Sequence, residues 1–137
     1  MKSKTVNAII EASSTGFGIY AEDENLPLNS YGKTIPEAKE NFDILLKEML
    51  AYYKQERKSI PPAYNKGNLI FNYKYDIASI FQHFGMLDVS NFARKIGMNP
   101  SLLRQYKTNK TVASAKQKQK IEKGLHDLGR ELLNIHL

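Results

Sequence analysis

The spacing of apolar residues changes period at Asp76, and that change limits what the chain can fold into. Upstream, Val6, Ala8, Ile10 and Ala12 alternate with more polar neighbours, as do Phe17, Ile19 and Ala21, which is the two-residue period of half-buried strands. The turn from Ser13 to Gly16 between them predicts a hairpin. After the Glu22-Asp23-Glu24-Asn25 turn, 26–31 reads as a weaker third strand, which Pro27 restricts to an edge or a first position. Thr34 with Glu37 three residues later has the spacing of a reciprocal helix cap, and Pro36 suits a first helical turn. Ala38, Phe42, Leu45, Leu46, Met49 and Tyr53 then share one face of a helix about 20 residues long, which should pack on the sheet. The stretch 57–68 ends this helix, because Pro61-Pro62 cannot continue it. Leu69, Phe71, Tyr73 and Tyr75 alternate once more as a fourth strand.

Downstream of Asp76 the period is helical. Ile77, Ile80, Phe81 and Phe84 predict a short helix capped by Asp76 and stopped at Gly85, while Ile121, Leu125, Leu128 and Leu132 predict a final one. The expected fold is α+β, with a β-β-β-α-β domain over 1–75 followed by an all-α domain over 76–137. A chain of 137 residues is long enough for two such small domains.

Charge divides along the same boundary. Residues 1–58 carry 8 Lys/Arg against 9 Asp/Glu, whereas 88–137 carry 10 against 4, so the net +6 is concentrated in the last third. Such a block favours a polyanionic partner, or else is a solvated helix face. The absence of cysteine excludes disulfides, thiolate zinc sites and cysteine nucleophiles. No stretch reaches the roughly 18 apolar residues of a membrane span. The expectation is a soluble, cytoplasmic protein with no membrane partner. His83, His126 and His136 are isolated, with neither metal-ligand spacing nor a serine elbow nearby, so neither a metal nor another cofactor is expected.

The basic third contains the stretch "DVSNFARKIGMNPSLLRQYKTNK". Ala93 is a small residue where two helices must approach, Gly97 suits the left-handed end of the first helix, and Asn99-Pro100 suits the start of the second. Leu103 and Tyr106 then turn inward. A helix-turn-helix reads the major groove with residues near the start of its second helix, here Asn99, Ser101, Leu102, Arg104 and Gln105. Gln pairs with adenine edges, Arg with guanine, and Leu102 meets a thymine methyl. Lys107, Thr108, Asn109 and Lys110 would reach phosphate oxygens. Lys116, Lys118, Lys120 and Lys123 add charge on the last helix or are merely solvated.

Residues 76–133 resemble the five-helix Cro/repressor family, with Ala93, Gly97, Leu103, Tyr106 and Lys110 at the expected places. Residues 5–75 resemble the amino-terminal domain of HicB antitoxins, a truncated RNase H-like fold, through Leu26-Pro27, Gly32, Thr34, Glu37 and Ala38. Leu28 and Lys33 depart from the Gly and Asp frequent in that family.

The resemblance implies a type II antitoxin that neutralises a HicA-like mRNA-cleaving toxin and represses its own operon by binding double-stranded operator DNA. It would act as a homodimer, with further pairing into a tetramer left open. Toxin contact falls to the acidic Glu22, Asp23 and Glu24 and to the aromatics Phe17, Tyr20 and Tyr31, for which core packing is the alternative. The nuclease chemistry of true RNase H folds needs metal ions held on several carboxylates. No aspartate occupies the first strand, and Glu22, Asp23 and Glu24 lie in a turn, so no catalytic residues and no enzyme activity are expected. A second reading keeps the DNA-binding domain and makes the first domain a module for a small ligand or another protein.

Overall fold

The computed structural model describes residues 4–56 and 69–137 and shows a mixed α/β protein with a four-stranded mixed sheet and five helices among them. The expected break at Pro61-Pro62 lies outside the described residues. Contacts divide the chain into two compact units, Met1–His83 and Phe84–Leu137.

The first unit contains β1 (Lys4–Ala12), β2 (Phe17–Ala21), β3 (Asn29–Gly32), α1 (Ile35–Gln55), β4 (Leu69–Tyr75) and α2 (Ile77–His83). The sheet order is β3-β2-β1-β4, with β1/β2 and β2/β3 antiparallel and β1/β4 parallel. β3 and β4 therefore run the same way on opposite edges, and α1 is the crossover that such a pair requires. Alternation decides which side α1 covers: Val6, Ala8, Ile10, Phe17 and Ile19 are buried with Ala38 and Phe42 of the helix. Phe42 is fully buried, with its ring 4.8 Å from Phe71 and 6.5 Å from Tyr73.

Two glycines let the sheet edge and the helix start come together. A Cβ on Gly32 would stand 2.4 Å from the Ala38 backbone nitrogen, and one on Gly16 would stand 2.3 Å from the Gly32 carbonyl oxygen. α1 is capped by Thr34, whose hydroxyl accepts from the Glu37 N–H at 3.2 Å. The Glu37 carboxylate reaches back to the Lys33 N–H at 3.3 Å, one residue before the cap. Pro27 precedes β3 rather than lying within it, and β3 is an edge.

The sequence reading places α2 in the carboxy-terminal domain, but its contacts are with the sheet. The Asp76 N–H donates to the Ile10 carbonyl at 2.9 Å, Gln82 Nε2 donates to the Ser13 carbonyl at 3.3 Å, and His83 meets the Phe17 ring edge-on at 6.1 Å. Asp76 does cap α2, its carboxylate accepting from the Ser79 N–H at 2.7 Å, but the helix stops at His83 and leaves Phe84 exposed. Residues 76–133 thus hold four helices, not the five expected from the sequence.

The second unit contains α3 (Val89–Ile96), α4 (Pro100–Lys107) and α5 (Ala115–Leu133). Its core is built from Val89, Phe92, Ala93, Met98, Leu103, Tyr106, Ala113 and Ile121. α5 packs tightly on α3 at the buried Gly124, where a Cβ would stand 2.3 Å from Ile96 Cγ2. Leu125 and Leu128 are half-buried, but Leu132, expected on the same stripe, is exposed.

Candidate nucleic-acid interface

The corner between α3 and α4 is built by two caps. Gly97 has φ 73, in the left-handed region, so the Met98 N–H reaches the Ala93 carbonyl at 2.8 Å and the Gly97 N–H reaches that of Arg94 at 3.2 Å. This double closure ends the helix and folds Met98 inward over Ala93. Asn99 then starts α4, its side-chain oxygen accepting from the Ser101 N–H at 2.8 Å and the Leu102 N–H at 3.4 Å. Pro100 needs no such acceptor, because it has no N–H.

α4 consequently has two distinct faces. Leu103 and Tyr106 are buried, whereas Ser101, Arg104, Gln105 and Thr108 are exposed and follow one another by 3, 1 and 3 residues, which places them on the opposite side. Leu102, expected outward, is half-buried at the margin, and Lys107 is exposed. The Asn99 side-chain oxygen is spent on the cap, so its base-reading capacity is reduced to its amide donors. Thr108 donates its hydroxyl to the Arg104 carbonyl at 3.1 Å. Asn109 has φ 58, and with Lys110 it repeats the closure seen at Gly97: Lys110 N–H to Gln105 carbonyl at 2.9 Å, Asn109 N–H to Tyr106 carbonyl at 3.2 Å. Asn109, expected on phosphate, is thus first a helix terminator.

Two positioning contacts were not legible in the sequence. Arg104 Nη1 donates to Ser90 Oγ at 2.6 Å, laying the guanidinium toward α3, and Lys120 Nζ of α5 donates to the Gly97 carbonyl at 2.9 Å. The partners lie 14 and 23 residues apart, beyond any local pattern. Lys120 is therefore engaged with the corner rather than simply solvated.

Two of the four anions of this unit, Glu131 and Asp127, neutralise cations away from α4. Glu131 pairs with Lys95 at 2.8 Å, and Asp127 pairs with Lys123 at 3.0 Å and Arg130 at 2.6 Å. Hydrogen bonds from Lys123 and Arg130, followed by their charges, hold the Asp127 carboxyl below its usual range. Arg104, Lys107, Lys110, Lys116 and Lys118 enter no ion pair among the described residues. Arg94 of α3 likewise enters none, its guanidinium donating to Asn91 Oδ1 at 2.9 Å, so the cations without an ion pair among the described residues lie on α3, α4, the loop after it and the first turns of α5.

In the first unit, Phe17 is 5% exposed and belongs to the core, so it is not a contact aromatic. Tyr20 and Tyr31 are exposed on the sheet face opposite α1, and the Tyr31 hydroxyl donates to the Thr15 carbonyl at 2.6 Å. Partial burial, then the nearby carboxylates Glu11, Glu22 and Asp76, push the Tyr20 hydroxyl above the ordinary tyrosine range. Glu22 and Glu24 are exposed; Asp23 is half-buried, pairs with Lys4 at 3.3 Å and holds the turn through the Asn25 N–H at 2.9 Å.

Neither family models, nor curated proteins, nor solved structures match this chain. Among the described residues no three His, Asp or Glu side chains are grouped to hold a metal ion, and no helix is long and apolar enough to cross a membrane.

Proposed function

We propose that the protein is an antitoxin of a type II toxin-antitoxin pair, binding operator DNA with its second unit and a HicA-like mRNA-cleaving toxin with its first. In this reading the first unit is a HicB-like β-β-β-α-β domain, and the second is an all-α helix-turn-helix domain of Cro/repressor type. The observation that carries the DNA-binding half is the polar face of Ser101, Arg104, Gln105 and Thr108, opposite the buried Leu103 and Tyr106, with cations around it that enter no ion pair among the described residues. α4 is the helix placed in the major groove, and Ser101, Arg104 and Gln105 are its base-reading side chains. Lys107, Lys110, Lys116 and Lys118 neutralise phosphates. The toxin half rests on the resemblance of residues 5–75 and on the acidic surface around Tyr20 that suits a basic protein.

The direct test is fluorescence anisotropy of the purified chain on the DNA upstream of its own gene and on scrambled DNA. Binding to an inverted repeat with half-sites about one helical turn apart is expected, as a two-fold repressor dictates. Equal affinity for both DNAs would sink the specific-repressor reading. Growth of cells expressing a neighbouring small basic toxin, with and without this chain, tests the other half. No rescue by a stably expressed chain would remove the antitoxin assignment.

A further inference from the structure

We propose that the edge of β3, which pairs with no further strand among the described residues, takes with the groove between it and α1 an extended cationic segment of a partner protein as an added strand. This deepens the antitoxin reading and rests on it for the partner being the toxin; the strand-addition site itself stands on the geometry of the edge.

The register shows which backbone groups face outward. Tyr20 lies opposite Asn29 and Gly18 opposite Tyr31, and just beyond them the Ala21 N–H donates to the Leu28 carbonyl at 3.1 Å. Antiparallel pairs alternate between bonded and non-bonded, so Ile19/Ser30 and Phe17/Gly32 are the bonded pairs and the amides of Asn29 and Tyr31 point away from β2. A side chain already stands where a neighbouring strand would. Asn41 Nδ2 of α1 donates to the Tyr31 carbonyl at 2.7 Å, as the N–H of an added strand would.

β3 is short and the start of α1 stands against its Gly32 end, but it lacks the other devices that blunt an edge. Its four residues, Asn29, Ser30, Tyr31 and Gly32, include no lysine and no proline. Beside it runs an open groove of about 510 Å³ lined by Asn29, Tyr31, Asn41, Ile44, Leu45 and Glu48. Ile44 is 45% exposed, so the groove offers an apolar contact for an alternate side chain of an incoming strand. Among the described residues its one lining charge is the Glu48 carboxylate, with no lining cation to offset it, and Glu37 lies further along the same helical stripe. A cationic strand complements this edge. A second copy paired β3 to β3 would set two such anionic grooves together without a compensating charge.

The test uses the isotope-labelled full chain and a short capped peptide alternating lysine and valine, with a glutamate-valine peptide as control. The cationic peptide should shift the amides of 29–32 and the Asn41 side-chain amide, and slow hydrogen exchange at Asn29 and Tyr31. Asn29→Pro removes one outward donor without touching the bonds to β2, and should weaken binding about ten-fold, roughly one lost hydrogen bond. Glu48→Lys, on the exposed surface, should weaken it by a similar factor while the amide spectrum of β1 and β2 stays in place. Shifts elsewhere on the chain, equal binding of the glutamate peptide, or unchanged affinity in both variants would overturn the proposal. So would a dimer that dissociates on Asn29→Pro, since the edge would then belong to a second copy. The two readings fail separately. Unimpaired toxin rescue by Asn29→Pro removes the toxin as the added strand and leaves the antitoxin, whereas no rescue by the unaltered chain removes the antitoxin and leaves the peptide result.

Discussion

At the scale of single residues, α4 separates groups that would read bases from groups that would hold the backbone. Gln105 is exposed in the middle of the polar face, whereas Lys110 follows the left-handed Asn109 and extends from the loop. Gln105→Ala should relax preference at one base pair and weaken operator binding by about 1–3 kcal/mol, whereas Lys110→Ala should weaken all sequences and reduce the salt slope by about one. Anisotropy titrations on operator and mismatched DNA at several salt concentrations separate the two; a uniform loss for Gln105→Ala would show that it does not read bases. Tyr73 offers a second residue-level test in the other unit. Burial, then the Asp43 carboxylate, raises its hydroxyl above the ordinary tyrosine value. The folded state favours the neutral phenol, so this stabilisation is complete below about pH 10 and is lost as the pH rises through the folded pKa. Urea unfolding at alkaline pH should show the loss in the unaltered chain and a shallower one in Tyr73→Phe.

At the scale of elements, α5 carries two glycines with opposite meanings. Gly124 is buried where α5 meets α3, and its missing Cβ makes room for Ile96 and Phe92; around Gly129 no atom would lie within 4 Å of a Cβ. Alanine in a helix interior gains about 0.5–1 kcal/mol over glycine where nothing obstructs it, so Gly129→Ala should stabilise. Gly124→Ala should lose about 1–3 kcal/mol through the forced displacement of Ile96. Thermal melts of the two variants should move in opposite directions; a shift of the same sign in both would refute the packing of α5 on α3. The element pattern also shows how far the sequence could be read. Every strand and helix had a periodic or capping signal, from the alternation of Val6, Ala8 and Ile10 to the Asn99-Pro100 start of α4. The close approach at Gly124 had none, because a lone glycine inside an amphipathic stretch looks the same whether it is packed or exposed.

At the scale of the molecule, the boundary between units is the point on which sequence and structure differ most. The change of period at Asp76 marks the end of a strand, yet α2 packs back on β1 and the division falls after His83. A chain ending after Tyr75 would lose the buried Ala78, Ser79 and Phe81, whereas one ending after His83 keeps them. Removing a buried phenylalanine alone typically costs about 3–5 kcal/mol, so the shorter fragment should be less stable by at least about that amount. Urea titrations of 1–75 and 1–83 make the comparison, and equal midpoints would show that α2 contributes nothing to the sheet unit. If the first unit holds the toxin, 1–83 is also the fragment that should rescue growth.

The sequence by itself determined the local elements and the division of charge, because alternation, helical spacing, caps and the count of Lys and Arg are properties of neighbours along the chain. It also placed the corner at Gly97 and Asn99, since a left-handed helix end and a capped helix start each need particular residue types. Only the tertiary structure decided that Phe17 is core while Tyr20 and Tyr31 are surface, and that α2 belongs to the sheet. It likewise decided which cations Glu131 and Asp127 neutralise, and that Lys120 and Ser90 hold the corner and Arg104. Those facts depend on which distant residues come within a few ångströms, and a one-dimensional pattern carries no record of that.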